Sequence, residues 1–116
     1  MSPSSHERDG VPIRSQYAND PEMAELVEFF VSELPQRTQA IEAAMAESRA
    51  ADLKRLAHQL KGAGGGYGYP AISSAAARVE EDVKQAGDRM LSELDQLRGD
   101  VEALLAICER AIAGCR

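Results

Sequence analysis

Residues 53–70, with the sequence LKRLAHQLKGAGGGYGYP, constrain this chain more than any other stretch, because a helical pattern there runs into five of the protein's nine glycines. Apolar residues recur at the spacing of one helical face, which predicts that this face is buried: Leu53, Leu56, Ala57 and Leu60. His58 falls on the other side of the same helix, which the pattern predicts to face water. The stretch therefore predicts a helix with an exposed imidazole in its middle.

The glycine run has two possible explanations. In a helix interior each glycine costs about 0.8–1.0 kcal/mol relative to alanine, so several together need a physical reason. One reason is close approach, either of a neighbouring helix or of a partner's backbone. The spacing puts Gly62 and Gly65 on the side of the histidine and Gly64 nearer the packed side. The other explanation is that the helix ends in this run, with Gly66 or Gly68 as its C-cap.

The neighbours of His58 on its own helix favour a reaction with an anionic group. Lys54, Arg55 and Lys61 form a local basic patch, although such a patch is often only a solvated helix face. An imidazole is a nucleophile that is largely neutral near pH 7. Lys61, one turn on, could supply a point charge to an anionic group. Gly62 would leave room for a partner's backbone beside the histidine.

The pentapeptide His58-Gln59-Leu60-Lys61-Gly62, followed by the glycine run and Tyr67-Gly68-Tyr69, resembles the H-x-L-K-G signature of histidine phosphotransfer (HPt) domains. It is also similar to the phosphotransfer module of chemotaxis histidine kinases. The likeness extends from about Asp20 to about Gln85. It implies that His58 is a phosphoacceptor, that Lys61 stabilises the phosphoryl group, and that receiver domains of response regulators or hybrid kinases are the partners. Those partners would dock near Lys54, Arg55, Gly62 and Gly65.

The resemblance also implies a polar partner for the histidine on the following helix. That position falls at Glu80, with Glu81 beside it, and the alternative is a surface acid on a charged helix. Stand-alone HPt domains often carry glutamine there, whereas a carboxylate is more like the chemotaxis module. The donor therefore stays open between a receiver-domain aspartate and the ATP domain of a chemotaxis-type kinase.

The rest of the chain predicts an all-α fold. The patterns predict a flexible leader over residues 1–19 with an inert His6. Five helical segments follow, over about 20–34, 35–48, from 52 into the glycine run, 70–86 and 89–113. Pro35 is expected to end or kink the first helix. The last helix has a heptad-like seam, which is either core or a dimer interface: Met90, Leu94, Leu97, Val101, Leu104, Cys108 and Ala111. Short connections favour antiparallel neighbours, so residues 20–116 are predicted to form a monomeric, antiparallel four-helix bundle with an additional N-terminal helix.

Composition excludes several classes of function. The net charge of −6 argues against nucleic acid or an anionic membrane as the main partner. No apolar run approaches the ~20 residues of a membrane span, and no signal-peptide h-region is present, so a cytoplasmic protein with free Cys108 and Cys115 thiols is expected. The glycine run lacks the Gly-Lys-Ser/Thr ending of a nucleotide-binding P-loop. We therefore expect no catalytic ATP site and no cofactor of its own, with any Mg²⁺ supplied by the partner domain.

Two functions from other classes remain as alternatives. A metal-binding helical bundle needs several convergent ligands, often Glu-x-x-His pairs, and this chain has one suitable histidine and no such pair. A helical adaptor that binds a kinase or receiver domain without accepting phosphate would share the same fold and surface.

Overall fold

In a computed structural model, which describes residues 11–115, the chain forms a bundle of four α-helices and a short 3₁₀ turn. The elements are, in order, α1 (Ala24–Ala46), α2 (Ala50–Gly66), α3 (Pro70–Ala86), the 3₁₀ turn (Leu91–Glu93) and α4 (Asp95–Gly114). α1 packs against α2 and α4, and α3 packs against the same two helices, which closes the bundle. The described part of the chain contains no β-strand. The all-α bundle predicted from the sequence is confirmed.

The core consists mainly of aliphatic side chains, together with Phe30 and Tyr69, and its members recur at helical spacing on the inner faces of the helices. Its largest fully buried members include Leu34, Leu53, Leu60, Ile72 and Leu104. Removing such side chains from water contributes about 1.5–3 kcal/mol each. Because the inner face of α2 is buried in this core, His58, on the outer face of the helix, is exposed to solvent.

The additional N-terminal helix is not confirmed, because the two patterns that meet at Pro35 form the single helix α1. A proline removes a main-chain N–H and crowds the carbonyl four residues earlier, which favours a break. Here Leu34 and Ile41, on either side of the proline, are both buried in the same core. The Thr38 hydroxyl also donates a hydrogen bond to the Pro35 carbonyl (3.0 Å). Packing on both sides thus keeps the helix continuous.

Two helices begin later than the sequence predicts. Asp20 accepts a hydrogen bond from the Glu22 N–H (2.9 Å) in a turn that precedes α1, and the helix itself starts at Ala24. Before α4 the chain passes through the 3₁₀ turn, so Met90, expected in the seam, is 54% exposed and Leu91 takes the core position. The later seam positions, from Leu97 to Ala111, are buried within the bundle.

Residues 11–19, the described part of the predicted leader, lie against the C-terminal ends of α2 and α4. Four hydrogen bonds join them there: Ile13 N–H to the Arg110 carbonyl (3.0 Å), Arg110 Nε–H to the Val11 carbonyl (2.7 Å), the Ser15 hydroxyl to the Tyr67 carbonyl (2.6 Å), and Gln16 N–H to the Gly68 carbonyl (2.8 Å). A methyl group on Gly114 would collide with the Ile13 carbonyl, so glycine lets this segment pass close to the helix end. The prediction for His6 falls outside the described residues.

Candidate functional site

α2 presents His58 to solvent because the residues on the opposite side of the helix are buried. Ala57 and Leu60, the residues before and two after the histidine, are fully buried in the core. The His58 side chain is 66% exposed. An imidazole with this exposure is open to a macromolecular partner.

Glu80, on α3, bridges two side chains of α2. One carboxylate oxygen, Oε2, lies 2.9 Å from Nδ1 of His58, and the other, Oε1, lies 3.0 Å from Nζ of Lys61. Glu80 is only 6% exposed, which makes it one of two buried polar residues among those described. A buried carboxylate needs such partners, since an unpaired buried charge is strongly disfavoured. His58, Lys61 and Glu80, the three residues expected to act in catalysis, therefore form one cluster.

The carboxylate also determines which tautomer of His58 fits the site. An ionised carboxylate only accepts hydrogen bonds, so the neutral ring must carry its hydrogen on Nδ1 and donate it to Oε2. The lone pair is then on Nε2, at the far side of the ring from Glu80. The arrangement thus offers a fixed ring with its nucleophilic nitrogen away from the carboxylate.

Charge in the cluster keeps Glu80 ionised. The hydrogen bond from Lys61 is the main cause that lowers the pKa of the Glu80 carboxyl, and the hydrogen bond with His58 acts in the same direction. Burial works against them, because it disfavours the charged form. The net effect is a lowered pKa, so Glu80 is an anion at neutral pH.

The glycine run both lets a neighbouring helix approach closely and ends α2. A methyl group on Gly64 would lie 3.0 Å from the Ile72 Cγ2 atom and from the main-chain nitrogen of Ser73, so α3 approaches α2 closely here. α2 continues to Gly66 and then ends, and Gly68 follows with a φ of +85°, which glycine adopts without strain. Close helix packing and helix termination are thus assigned to different glycines of the run.

The four residues expected at a docking surface are all exposed: Lys54, Arg55, Gly62 and Gly65. The Arg55 guanidinium lies 3.4 Å from the Asp52 carboxylate, a solvent-exposed pair. Around Gly62 no atom lies within 4 Å of the position a side chain would occupy. The surface one turn beyond His58 is therefore open.

Two features of the site region were not predicted from the sequence. The Ser73 hydroxyl donates a hydrogen bond to the main-chain carbonyl of Lys61 (2.9 Å). The carboxyl group of Asp82, on α3, lies close enough to that of Asp100, on α4, to raise the pKa of Asp82. Neither has a signal in spacing or composition, because both depend on how two helices are aligned with each other.

The described part of the chain shows neither a metal site nor a membrane span. Within residues 11–115, no group of three or more His, Cys, Asp or Glu side chains is arranged to hold a metal ion. No helix in that range is both long and apolar enough to cross a membrane.

Comparison with known proteins gives one match. The model of the Hpt domain family matches residues 25–107, which include all but the first residue of α1, all of α2 and α3, and most of α4, and with them all three residues of the cluster. The resemblance seen in the sequence is thereby confirmed. Searches of curated proteins and of solved structures each gave no match.

Proposed function

This chain belongs to the Hpt domain family, and we propose that it is a phosphocarrier of a two-component phosphorelay that accepts a phosphoryl group on Nε2 of His58. Membership of the family supports a histidine phosphotransfer role and a role as a carrier module rather than an enzyme. The observation that carries the assignment to this residue is the 2.9 Å contact between Nδ1 of His58 and the buried Glu80 carboxylate. It leaves the exposed Nε2 as the reacting atom.

The proposed step is an in-line displacement at phosphorus. The Nε2 lone pair forms the N–P bond while the P–O bond to the receiver's aspartate breaks, and the aspartate leaves as a carboxylate. The hydrogen on Nδ1 stays in place, so the ring gains a positive charge as the bond forms. Glu80 stabilises that charge as it develops, which is the kind of fixed electrostatic contribution that lowers barriers most. Transfer onward is the same step in reverse.

Lys61 is proposed to act on the phosphoryl oxygens. Its ammonium group binds Glu80 in the resting protein, and its side chain is on the same side of α2 as His58, one turn away. When the phosphoryl group arrives, the ring becomes the cation that Glu80 pairs with. Lys61 is then free to neutralise the phosphoryl oxygens as a point charge.

The receiver domain is proposed to dock over the exposed surface around His58. Lys54 and Arg55 would contact the acidic surface of a phosphoaspartate site, while Gly62 and Gly65 admit the partner's loops without obstruction. Mg²⁺ would be bound by the receiver, and the carrier would act as a cytoplasmic monomer.

One observation, the carboxylate at position 80, favours a different source of the phosphoryl group. In the chemotaxis-type modules that this site resembles, the phosphoryl group comes directly from a kinase ATP domain. Glu80 contacts the imidazole here in the way that such a module would use it. The alternative function is thus a substrate module of a chemotaxis-type kinase, with the same chemistry at His58.

The proposal is tested by labelling with phosphorylated receiver domains of the same organism, comparing the wild-type protein with His58→Gln. We expect acid-labile, base-stable label on the wild type alone. Label from a kinase ATP domain and none from receivers would support the second donor. No label from either would contradict both and leave a non-phosphorylated adaptor as the function.

A further inference from the structure

We propose that Ser73 is a positioning residue of the site, which holds α2 and α3 in register so that Glu80 reaches His58 and Lys61 together. Ser73 lies near the start of α3 and touches none of the reacting atoms. The part of the inference that concerns the transfer rate rests on the proposed function. The part that concerns the geometry of the cluster does not.

The first observation is the hydrogen bond itself. The Ser73 hydroxyl donates to the main-chain carbonyl of Lys61 across 2.9 Å, in a partly buried position. Lys61 is the residue whose ammonium binds Glu80. One cross-helix bond thus fixes α3 to the backbone of a member of the cluster.

The second observation is the close approach of the two backbones at the same level. The main-chain nitrogen of Ser73 lies 3.0 Å from where a Gly64 side chain would begin, and its hydroxyl lies 3.6 Å from the corresponding position on Gly65. Only a short side chain can make a bond between helices that are this close. Serine at 73 and glycines at 64 and 65 are therefore complementary.

The third observation is that Ser73 and Glu80 lie on the same rigid helix, so the alignment at Ser73 also sets the position of Glu80. Ser73 and Glu80 are seven residues apart, close to two helical turns, so both lie on the side of α3 that faces α2. At 1.5 Å per residue the two positions are separated by about 10 Å of continuous helix. A slide of about 1 Å at Ser73 would carry Glu80 with it and lengthen or misalign the contacts of 2.9 and 3.0 Å, which weakens both hydrogen bonds.

The test compares Ser73→Ala with Ser74→Ala, an exposed neighbour on the same turn of α3. The ¹⁵N shifts of the His58 ring, recorded where the imidazole is neutral, report the fraction of the Nδ1–H tautomer. We expect this fraction to be high in the wild type and in Ser74→Ala and to fall in Ser73→Ala. Loss of one hydrogen bond predicts transfer that is about three- to tenfold slower in Ser73→Ala alone.

The outcomes separate this inference from the proposed function. A wild-type tautomer in Ser73→Ala, with only thermal stability reduced, would overturn the positioning role. A changed tautomer supports the positioning role even if no receiver labels the wild-type protein, a result that would count against the proposed function alone. Circular dichroism of both variants verifies that each is folded.

Discussion

Glu80 is the residue on which the electrostatics of the site depend. Its two oxygens hold the ring of His58 and the ammonium of Lys61 at 2.9 and 3.0 Å. The hydrogen bond from Lys61 is the main cause that lowers the pKa of Glu80, so its carboxyl group is ionised at neutral pH. In the proposed transfer, the buried carboxylate would both orient the nucleophile and balance the positive charge of the phosphorylated ring.

Replacing Glu80 with glutamine tests the charge separately from the shape. The amide oxygen can still accept the hydrogen bond from Nδ1, but the charge-assisted part of the interaction is lost. We expect phosphotransfer to slow by roughly tenfold, equivalent to about 1.4 kcal/mol. Glu81→Gln, which removes an exposed acid from the same helix, should transfer at the wild-type rate. Equal rates for the two variants would contradict the role given to Glu80.

Gly62 provides a prediction in which stability and activity change in opposite directions. Alanine there meets no atom within 4 Å, so it should stabilise the bundle by about 0.8–1.0 kcal/mol through helix propensity. If this surface admits the receiver, the same methyl group should slow transfer. Gly99→Ala, equally unobstructed and on α4, should stabilise without slowing it. Denaturant unfolding and transfer rates measure the two effects, and undiminished transfer in Gly62→Ala would count against docking at this surface.

At the scale of secondary-structure elements, the contact between α2 and α3 sets the geometry of the site. His58 and Lys61 belong to one helix and Glu80 to the other. Gly64, Ile72 and the main chain at Ser73 are packed tightly where the two helices are closest. The alignment of these helices therefore decides whether the cluster forms.

Gly64→Ala should weaken this contact. The added methyl would lie 3.0 Å from a main-chain nitrogen, which cannot rotate aside. Overpacking of this kind costs about 1–3 kcal/mol, which should exceed the gain of about 1 kcal/mol in helix propensity. The matched control, Gly66→Ala on the same helix, has no atom within 4 Å of the new methyl. Urea unfolding should show a loss of stability only for Gly64→Ala, and equal stability of the two variants would contradict the close approach.

The elements show what can be predicted from sequence and what cannot. Apolar spacing predicted α2 and α3 because each of these helices has one buried face. Pro35 was expected to break a helix, yet Leu34 and Ile41 are buried on either side of it, so tertiary packing outweighed the local penalty. Met90 was expected in the core, but Leu91 is buried instead, because the 3₁₀ turn before α4 changes the rotation per residue. Local sequence patterns report neither the packing on both sides of a proline nor the position of a 3₁₀ turn.

The residues of the site also differ in whether the sequence alone predicts them. His58 and Lys61 are neighbours in a recognisable pentapeptide, and Glu80 was predicted by matching one motif to another. The hydrogen bond from Ser73 to Lys61 joins residues on two helices, and it depends on an axial alignment that no periodicity specifies.

At the scale of the whole molecule, the carboxyl groups of Asp82 on α3 and Asp100 on α4 lead us to expect that stability depends on pH. The buried Oδ2 atom of Asp82 has no hydrogen-bond donor among the described residues, and its carboxyl meets that of Asp100. Burial, with the hydrogen bond and charge of Asp100, raises the pKa of Asp82 from 3.8 to about 6, while Glu81 adds to the rise and Arg78 opposes it. The same hydrogen bond lowers the pKa of Asp100.

The sign of the pH effect follows from the raised pKa. The unfolded state ionises Asp82 at lower pH than the folded state, so this group reduces stability as the pH rises from 3.8 through about 6. Asp82→Asn keeps a neutral hydrogen-bond donor beside Asp100 at every pH. We expect its advantage in free energy of unfolding over the wild type to be larger at about pH 7.5 than at about pH 4.5.

The control for that measurement is Asp88→Asn, in the exposed loop before α4. Its stability difference from the wild type should not show this increase with pH. A difference for Asp82→Asn that is the same at both pH values would contradict the raised pKa of Asp82 in the folded protein.

The most direct test of the whole account is to identify the atom that carries the phosphoryl group. After transfer from a phosphorylated receiver domain, ¹⁵N and ³¹P NMR of the ¹⁵N-labelled protein distinguish the two ring nitrogens of His58. The account predicts phosphorus on Nε2, with the hydrogen retained on Nδ1 against Glu80. Phosphorus on Nδ1, on another residue or nowhere on the chain would contradict it.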